Sequence, residues 1–249
     1  IYPSLKSSGY LSMFFKISFK TLGIFCSQIF LFFTGINGKD CDQFPVIKTH
    51  NTLSPLMECE LRGCFDFFWN EWNDNPSSPT YGMTNGDYVG LNKYSPLAIE
   101  NQGFYFTAII IGVERGWITR EEGEKRILIT LKTLRSLKRI KGFWYHFIDQ
   151  ETGKRGWKDS NNIELSNASA GTMLLGALAA SEYFGGEIKK ITVQLYSEMD
   201  WKWFTNPDTK HPYLACYPED LPDRPPSDIT EEGLFGGWAA YAEHIFLYI

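Results

Sequence analysis

Long connections alternate with tight ones along this chain, and that alternation restricts its fold more than any other feature. Apolar residues recur at helical spacing in six stretches. The first is capped by Ser54, has Pro55 in its first turn, and runs through Leu56, Leu61, Phe65, Phe68 and Trp72. The second spans Leu97 to Arg115 and is ended by Gly116. Thr119 opens the third, with Glu122 completing a capping box, and the helical pattern continues to about Arg139. The fourth starts at Ser166 or Asn167 and reads ASAGTMLLGALAASEYF, small and apolar nearly all round, a pattern that demands deep burial. Gly185 and Gly186 stop it. A fifth runs from Glu187 to Phe204, and a sixth is expected from near Glu231 through Trp238, Tyr241, Ile245 and Tyr248. No stretch alternates as a strand would.

Helices one and two, three and four, and five and six are joined by segments each over roughly twenty residues, beyond the usual range for connections in a compact domain. The other two joints are short glycine turns. Consecutive antiparallel helices place alternate connections at opposite ends of a bundle, so all three long segments are expected at one end. An all-α architecture of the α/α barrel or toroid type, with a cleft at one mouth, has this asymmetry. A closed toroid needs about twice as many helices, and the sixth helical stretch still runs at Ile249. The expectation is therefore an N-terminal half, covering residues 39–249, of a larger helical domain truncated at its C-terminus.

The segment from Gly142 to Ser169 packs Phe143, Trp144, Tyr145, Phe147 and Trp157 among His146, Asp149, Glu151, Arg155, Asp159 and Glu164. It is too aromatic to be disordered, and rings beside acids fit one wall of a carbohydrate-binding cleft. Aromatic residues make up 16% of the chain, with eight tryptophans, enough for a core and for sugar platforms as well. A net charge of -5 excludes nucleic acid as a partner. Lys132 to Lys141 alternates with Leu131, Leu134, Leu137 and Ile140, as on a solvated helix face. Lys16 and Lys20 before an apolar run from Leu22 to Ile36 resemble a secretory signal, so residues 1–38 are assigned to upstream sequence and signal. The expected location is exported, periplasmic or extracellular, and any membrane contact is through that signal or an uncleaved anchor. Cys59 and Cys64 are spaced to fall on different helix faces and are not expected to bridge each other. No cysteine or histidine spacing points to a metal, and no cofactor is expected.

The run IGVERGWITREEGEKRILITLKTLRSL (Ile111 to Leu137), followed by KGFWYHFIDQETGKRGW, resembles the bacterial glucoamylase-like domain, which includes the endo-β-1,2-glucanases of glycoside hydrolase family 144. The similarity continues through Glu164-Leu165-Ser166, Gly176-Ala177-Leu178, Tyr183-Phe184, Asp200-Trp201-Lys202-Trp203, Gly237-Trp238, Tyr241 and Glu243. What the resemblance implies is an (α/α)6 toroid, secretion, and hydrolysis of a β-linked glucan, β-1,2-glucan foremost, by an inverting mechanism without a metal. The chain departs from the family at one place. Where relatives carry Ser-x-Ile-Asp-Thr it has Ser166-Asn167-Ala168-Ser169-Ala170, so that carboxylate is missing at Ser169. Either another acid is recruited or the activity is lost, and a non-catalytic glycan-binding protein on the same scaffold is the alternative.

Glycoside hydrolysis needs one carboxyl to protonate the leaving oxygen and a second, ionised, to activate water or attack. Glu164, Asp149 and Glu243 are the candidate catalytic acids. Glu164 ends the aromatic loop just before the buried fourth helix, Asp149 lies within that loop, and Glu243 shares the sixth helical stretch with Trp238 and Tyr241. Trp144, Tyr145, His146, Arg155, Trp157, Trp238 and Tyr241 are the candidate substrate-binding residues. Structural roles compete with each. Asp149 with Thr152 and Gly153 reads equally as a turn, Glu164 as a helix-cap neighbour, Arg155 as a partner of Glu151, and the tryptophans as core. Glu114, Arg115 and Trp117 belong to the short-turn end and are assigned to structure.

Overall fold

The computed structural model describes residues 55–86, 95–156, 163–219 and 225–236. Ile1–Cys64 and Phe65–Ile249 form two compact units. The expected signal segment and most of the expected sixth helical stretch lie outside the described residues. Five helices are present among those described: α1 (Pro55–Asn70), α2 (Ile99–Glu114), α3 (Arg120–Ser136), α4 (Asn167–Phe184) and α5 (Gly186–Ser197). None of them is long and apolar enough to cross a membrane. Cys59 is disulfide-bonded, whereas Cys64 is not, so the two do not bridge each other.

The α3 start follows its sequence signature. Thr119 Oγ1 accepts from the Glu122 N–H at 3.2 Å, and Glu122 Oε2 accepts from the Thr119 N–H at 2.8 Å, satisfying two helix-end donors at once. Helix α4 is capped by Ser166, whose side chain accepts from the Ser169 N–H. Helices α2 and α4 cross in backbone contact because glycines meet there. A Cβ on Gly103 would sit 2.3 Å from the Thr172 carbonyl oxygen, and one on Gly176 2.1 Å from that of Gly103. Around this crossing Phe106, Ile109, Ala170, Met173, Leu174 and Ala177 are all buried.

Tight turns join α2 to α3 and α4 to α5, and Tyr183 near the end of α4 donates its hydroxyl to Glu114 at the end of α2. That end is the bare one. The opposite end, where α2 and α4 begin, gathers the three long segments as expected. Thr80 Oγ1 donates to the Gln150 carbonyl at 2.7 Å, tying the first segment to the second. The Asp200 N–H donates to the Lys141 carbonyl at 2.9 Å, tying the second to the third.

Among the described residues, five two-residue strands knit these segments, a feature absent from the sequence pattern because two residues are too few to alternate. β1 (Leu97–Ala98) pairs antiparallel with β2 (Phe147–Ile148). β3 (Leu165–Ser166) pairs with β4 (Ala215–Cys216), which pairs with β5 (Leu234–Phe235), both antiparallel. β1 leads directly into α2 and β3 directly into α4.

Two helix boundaries differ from expectation by more than about a turn. The fifth helix ends at Ser197, not Phe204, because Trp201 and Phe204 turn back onto Phe143 with ring centroids 5.0 and 4.6 Å away. No helix starts at Glu231. Residues 231–236 form a turn and β5, in which Gly233 adopts φ 82° against the Tyr217 carbonyl and Leu234 is buried opposite Cys216.

Candidate active site

His146 is the residue on which the loops converge. Its N–H donates to the Glu164 carbonyl at 2.8 Å, and its own carbonyl accepts from the Ile99 N–H, the first residue of α2, at 3.1 Å. The side chain repeats the same two attachments. Nδ1 lies 2.8 Å from Glu164 Oε1, and Nε2 lies 3.1 Å from Glu100 Oε1. Phe147 stacks on the ring at 4.1 Å.

Burial opposes charge on this imidazole, but the hydrogen bonds to Glu100 and Glu164 and the charges behind them outweigh it, pushing the pKa up to about 9. Burial likewise acts to raise the pKa of Glu100. The His146 hydrogen bond and charge, the Glu100 N–H in the first turn of α2 and the Ser169 side chain together overcome that and hold the carboxyl below its ordinary value. Near neutral pH the ring is an imidazolium, held between Glu100 and Glu164. An imidazolium with both nitrogens protonated offers no lone pair to a metal ion.

The two carboxylates differ in what they have to spare. Glu100 Oε2 is buried and without a hydrogen bond of good geometry. The side chains are similarly exposed, 26% for Glu100 and 22% for Glu164, but Glu164 bonds His146 through Oε1 alone and its second oxygen has no hydrogen bond to a described residue. Around Glu164, Arg155 lies 4.8 Å over the Tyr145 ring and donates Nε–H to the Ile163 carbonyl at 2.8 Å. Tyr217 stacks flat on Phe235 at 5.2 Å. Burial first, and then the Glu164 charge, raise the Tyr217 pKa, with Arg155 opposing. The Tyr145 hydroxyl donates to Glu219 Oε2 at 2.7 Å, and Lys138 pairs with the other oxygen. Those contacts hold the Glu219 carboxyl below the ordinary range.

Of the expected site residues, Glu164, His146, Tyr145 and Arg155 are brought together. Asp149 is turned to another use: Oδ1 accepts from the Glu151 N–H, the Thr152 N–H and the Thr152 hydroxyl at 3.1, 2.7 and 2.7 Å, the turn that competed with catalysis. Trp144 is a correction. It is 1% exposed, donates its indole N–H to the Leu134 carbonyl at 2.9 Å, and has no face open to a sugar. The Tyr145 ring is buried to the same degree, so its hydroxyl, not its face, belongs to the site. Glu243, Trp157, Trp238 and Tyr241 lie outside the described residues. Glu100, Tyr217 and Glu219 were not expected, and Ser169, marked only as the place of a missing carboxylate, is found beside Glu100. Glu100 had a usable signal, since an acid in the first turn of α2 must lie at the end where the long segments gather.

No family model matches the chain. Over 163 residues it is 33% identical to the exo β-1,2-glucooligosaccharide sophorohydrolase (non-reducing end) of Parabacteroides distasonis, covering 61% of this chain and 21% of that protein. The solved structures on which it superposes include two β-1,2-glucanases. One is the endo-β-1,2-glucanase of Chitinophaga pinensis in complex with sophorotriose and glucose, with TM-score 0.52, 25% identity, and 64% of this chain on 39% of that one. The other is a β-1,2-glucanase of P. distasonis, with TM-score 0.53, 28% identity, and 69% of this chain on 25% of that one. The chain is similar to β-1,2-glucan hydrolases. The resemblance read from its motifs therefore stands, and the described helical hairpins are part of an (α/α)6 toroid. The chain spans less than half the length of each of these relatives.

Proposed function

We propose that this chain is part of an exported glycoside hydrolase that cleaves a β-linked glucan, of β-1,2 linkage, by inversion with two carboxyl groups. The observation that carries the proposal is Glu164. It stands at the end where the long segments meet, is fixed through one oxygen by His146, and keeps the other oxygen without a hydrogen bond to a described residue. The likeness to β-1,2-glucan hydrolases supports the choice of substrate class.

In an inverting reaction one carboxyl protonates the leaving oxygen while the other activates a water on the opposite face of the sugar, with roughly 6.5–9.5 Å between them to admit that water. Glu164 is assigned as one member of that pair. Glu243 is the sequence-based candidate for the other. Arg155 and Tyr217 beside Glu164 are assigned to sugar hydroxyls and to the sugar's apolar face. Export rests on the apolar run from Leu22 to Ile36 behind its two lysines.

The test is release of reducing sugar from β-1,2-glucan by the full-length protein. Glu164→Gln should lower kcat by about 10²-fold or more while glucan binding by calorimetry persists. Affinity without products, unchanged in the Gln variant, would instead mark a glycan-binding protein and overturn the hydrolase assignment.

A further inference from the structure

Glu100 meets the His146 ring through Nε2, the nitrogen opposite the one that holds Glu164. The imidazole is gripped twice on each side, by backbone and side chain of Glu164 and by the first turn of α2 through the Ile99 N–H and the Glu100 carboxylate. One ring can donate to two carboxylates only when both nitrogens carry protons; a neutral ring would turn a lone pair towards one of them. The two acids are also unequal at their second oxygens, since that of Glu100 is buried whereas that of Glu164 has no hydrogen bond to a described residue and is not enclosed. The second oxygen of Glu164 can therefore meet a ligand, whereas that of Glu100 is enclosed. The groups facing this unit come from each neighbouring element. They are Glu100 from α2, Glu164 from the residue before β3, Ser169 from α4 on Glu100, and Arg155 and Tyr217 around Glu164. Phe147, stacked on the ring, adds no charge.

We propose that Glu100 is a positioning residue: through His146 it keeps the bridging imidazole doubly protonated, and the imidazolium pins one oxygen of Glu164 so that the other is presented to the sugar. The assignment rests on Glu164 being the carboxylate that meets substrate, as argued above. Nothing in the motif that carries the family resemblance includes Glu100.

NMR titration of the full-length protein separates this proposal from the hydrolase assignment, because it needs no turnover. The His146 ring resonance, identified by its loss in His146→Asn, should titrate well above free histidine, and the Glu164 carboxyl carbon should show a step at the same pH. In Glu100→Gln both steps should move acidward together by at least about one pH unit. Glu100→Asp should restore most of the shift. If Glu100→Gln does not fold, Glu164→Gln should also move the ring step acidward, since it removes the other charge. In activity, the alkaline limb of kcat/KM should move with the ring in Glu100→Gln, which loss of packing alone would not produce. A ring step unmoved in Glu100→Gln overturns the proposal, as does an activity limb that stays put while the ring step moves. Coupled steps in a wild-type protein that releases no sugar would uphold the unit and sink the hydrolase assignment alone.

Discussion

Asp149 and Glu164 share a loop and a charge, and the chain uses them differently. Asp149 spends one oxygen on three donors of its own turn, a role that asparagine fills almost as well because its carbonyl oxygen is placed the same way. Asp149→Ala should therefore cost about 1–2 kcal/mol, and Asp149→Asn much less, read as shifts in denaturant midpoint. The opposite pattern, with stability unmoved and turnover lost in the Asn variant, would return Asp149 to the catalytic set. At this scale the sequence marked Glu164 and His146 as candidates, since both sit in a loop too long and too mixed to be a simple connector. It did not carry Trp144, because an indole in a loop looks the same whether it faces solvent or, as here, reaches down to the Leu134 carbonyl. Glu100 was hidden for a different reason: its partner His146 is 46 residues away, and no local spacing records that pairing.

Helices were legible where a local signal starts or stops them and illegible where tertiary contact does. The Thr119–Glu122 box is local, was read from four letters, and is present in α3. Thr119→Ala should lower stability by about 1 kcal/mol, with Thr119→Ser close to wild type, measured by thermal melting. The end of α5 is tertiary: nothing between Ser197 and Phe204 forbids helix, yet Phe143 draws Trp201 and Phe204 aside. The α2–α4 crossing combines both kinds of information. Small residues in α4 announce burial, but which glycines touch is visible only in three dimensions. Gly103 and Gly176 meet backbone to backbone, so a single methyl has no flexible side chain to displace and the helices must separate. Gly176→Ala should cost about 1–3 kcal/mol or more, despite alanine's higher helix propensity. A Gly176→Ala protein melting at or above wild type would show that the crossing is looser than described.

A whole protein is stable by only about 5–15 kcal/mol, so one strongly coupled group can set its working pH range. His146 titrates at about 9 when folded, against roughly 6.5 in an unfolded chain. Between those values the folded state binds the extra proton, so this contribution is complete below about 6.5 and is lost as pH rises through about 9. Glu100 has the opposite sign: its depressed carboxyl stabilises above the unfolded value and the benefit disappears as pH falls. The acid side is shared with Glu122, Glu198 and Glu219, which are depressed too, so it diagnoses nothing by itself. The alkaline side is specific. Among described groups with a shifted pKa, the tyrosines and Cys216 are raised from starting values already at 9 or 10, which leaves His146 alone in the window from 6.5 to 9. The expected loss across that window is a few kcal/mol, because each pKa unit is worth about 1.4 kcal/mol. That corresponds to a fall in melting temperature of roughly 5–10 °C. His146→Gln should melt lower at pH 6 and lose most of that slope, converging on the wild type near pH 9.5. An equal slope in both proteins would mean that the charge bridging Glu100 and Glu164 contributes nothing to the stability of the fold, and the site would then have to be held by the two backbone bonds of His146 alone.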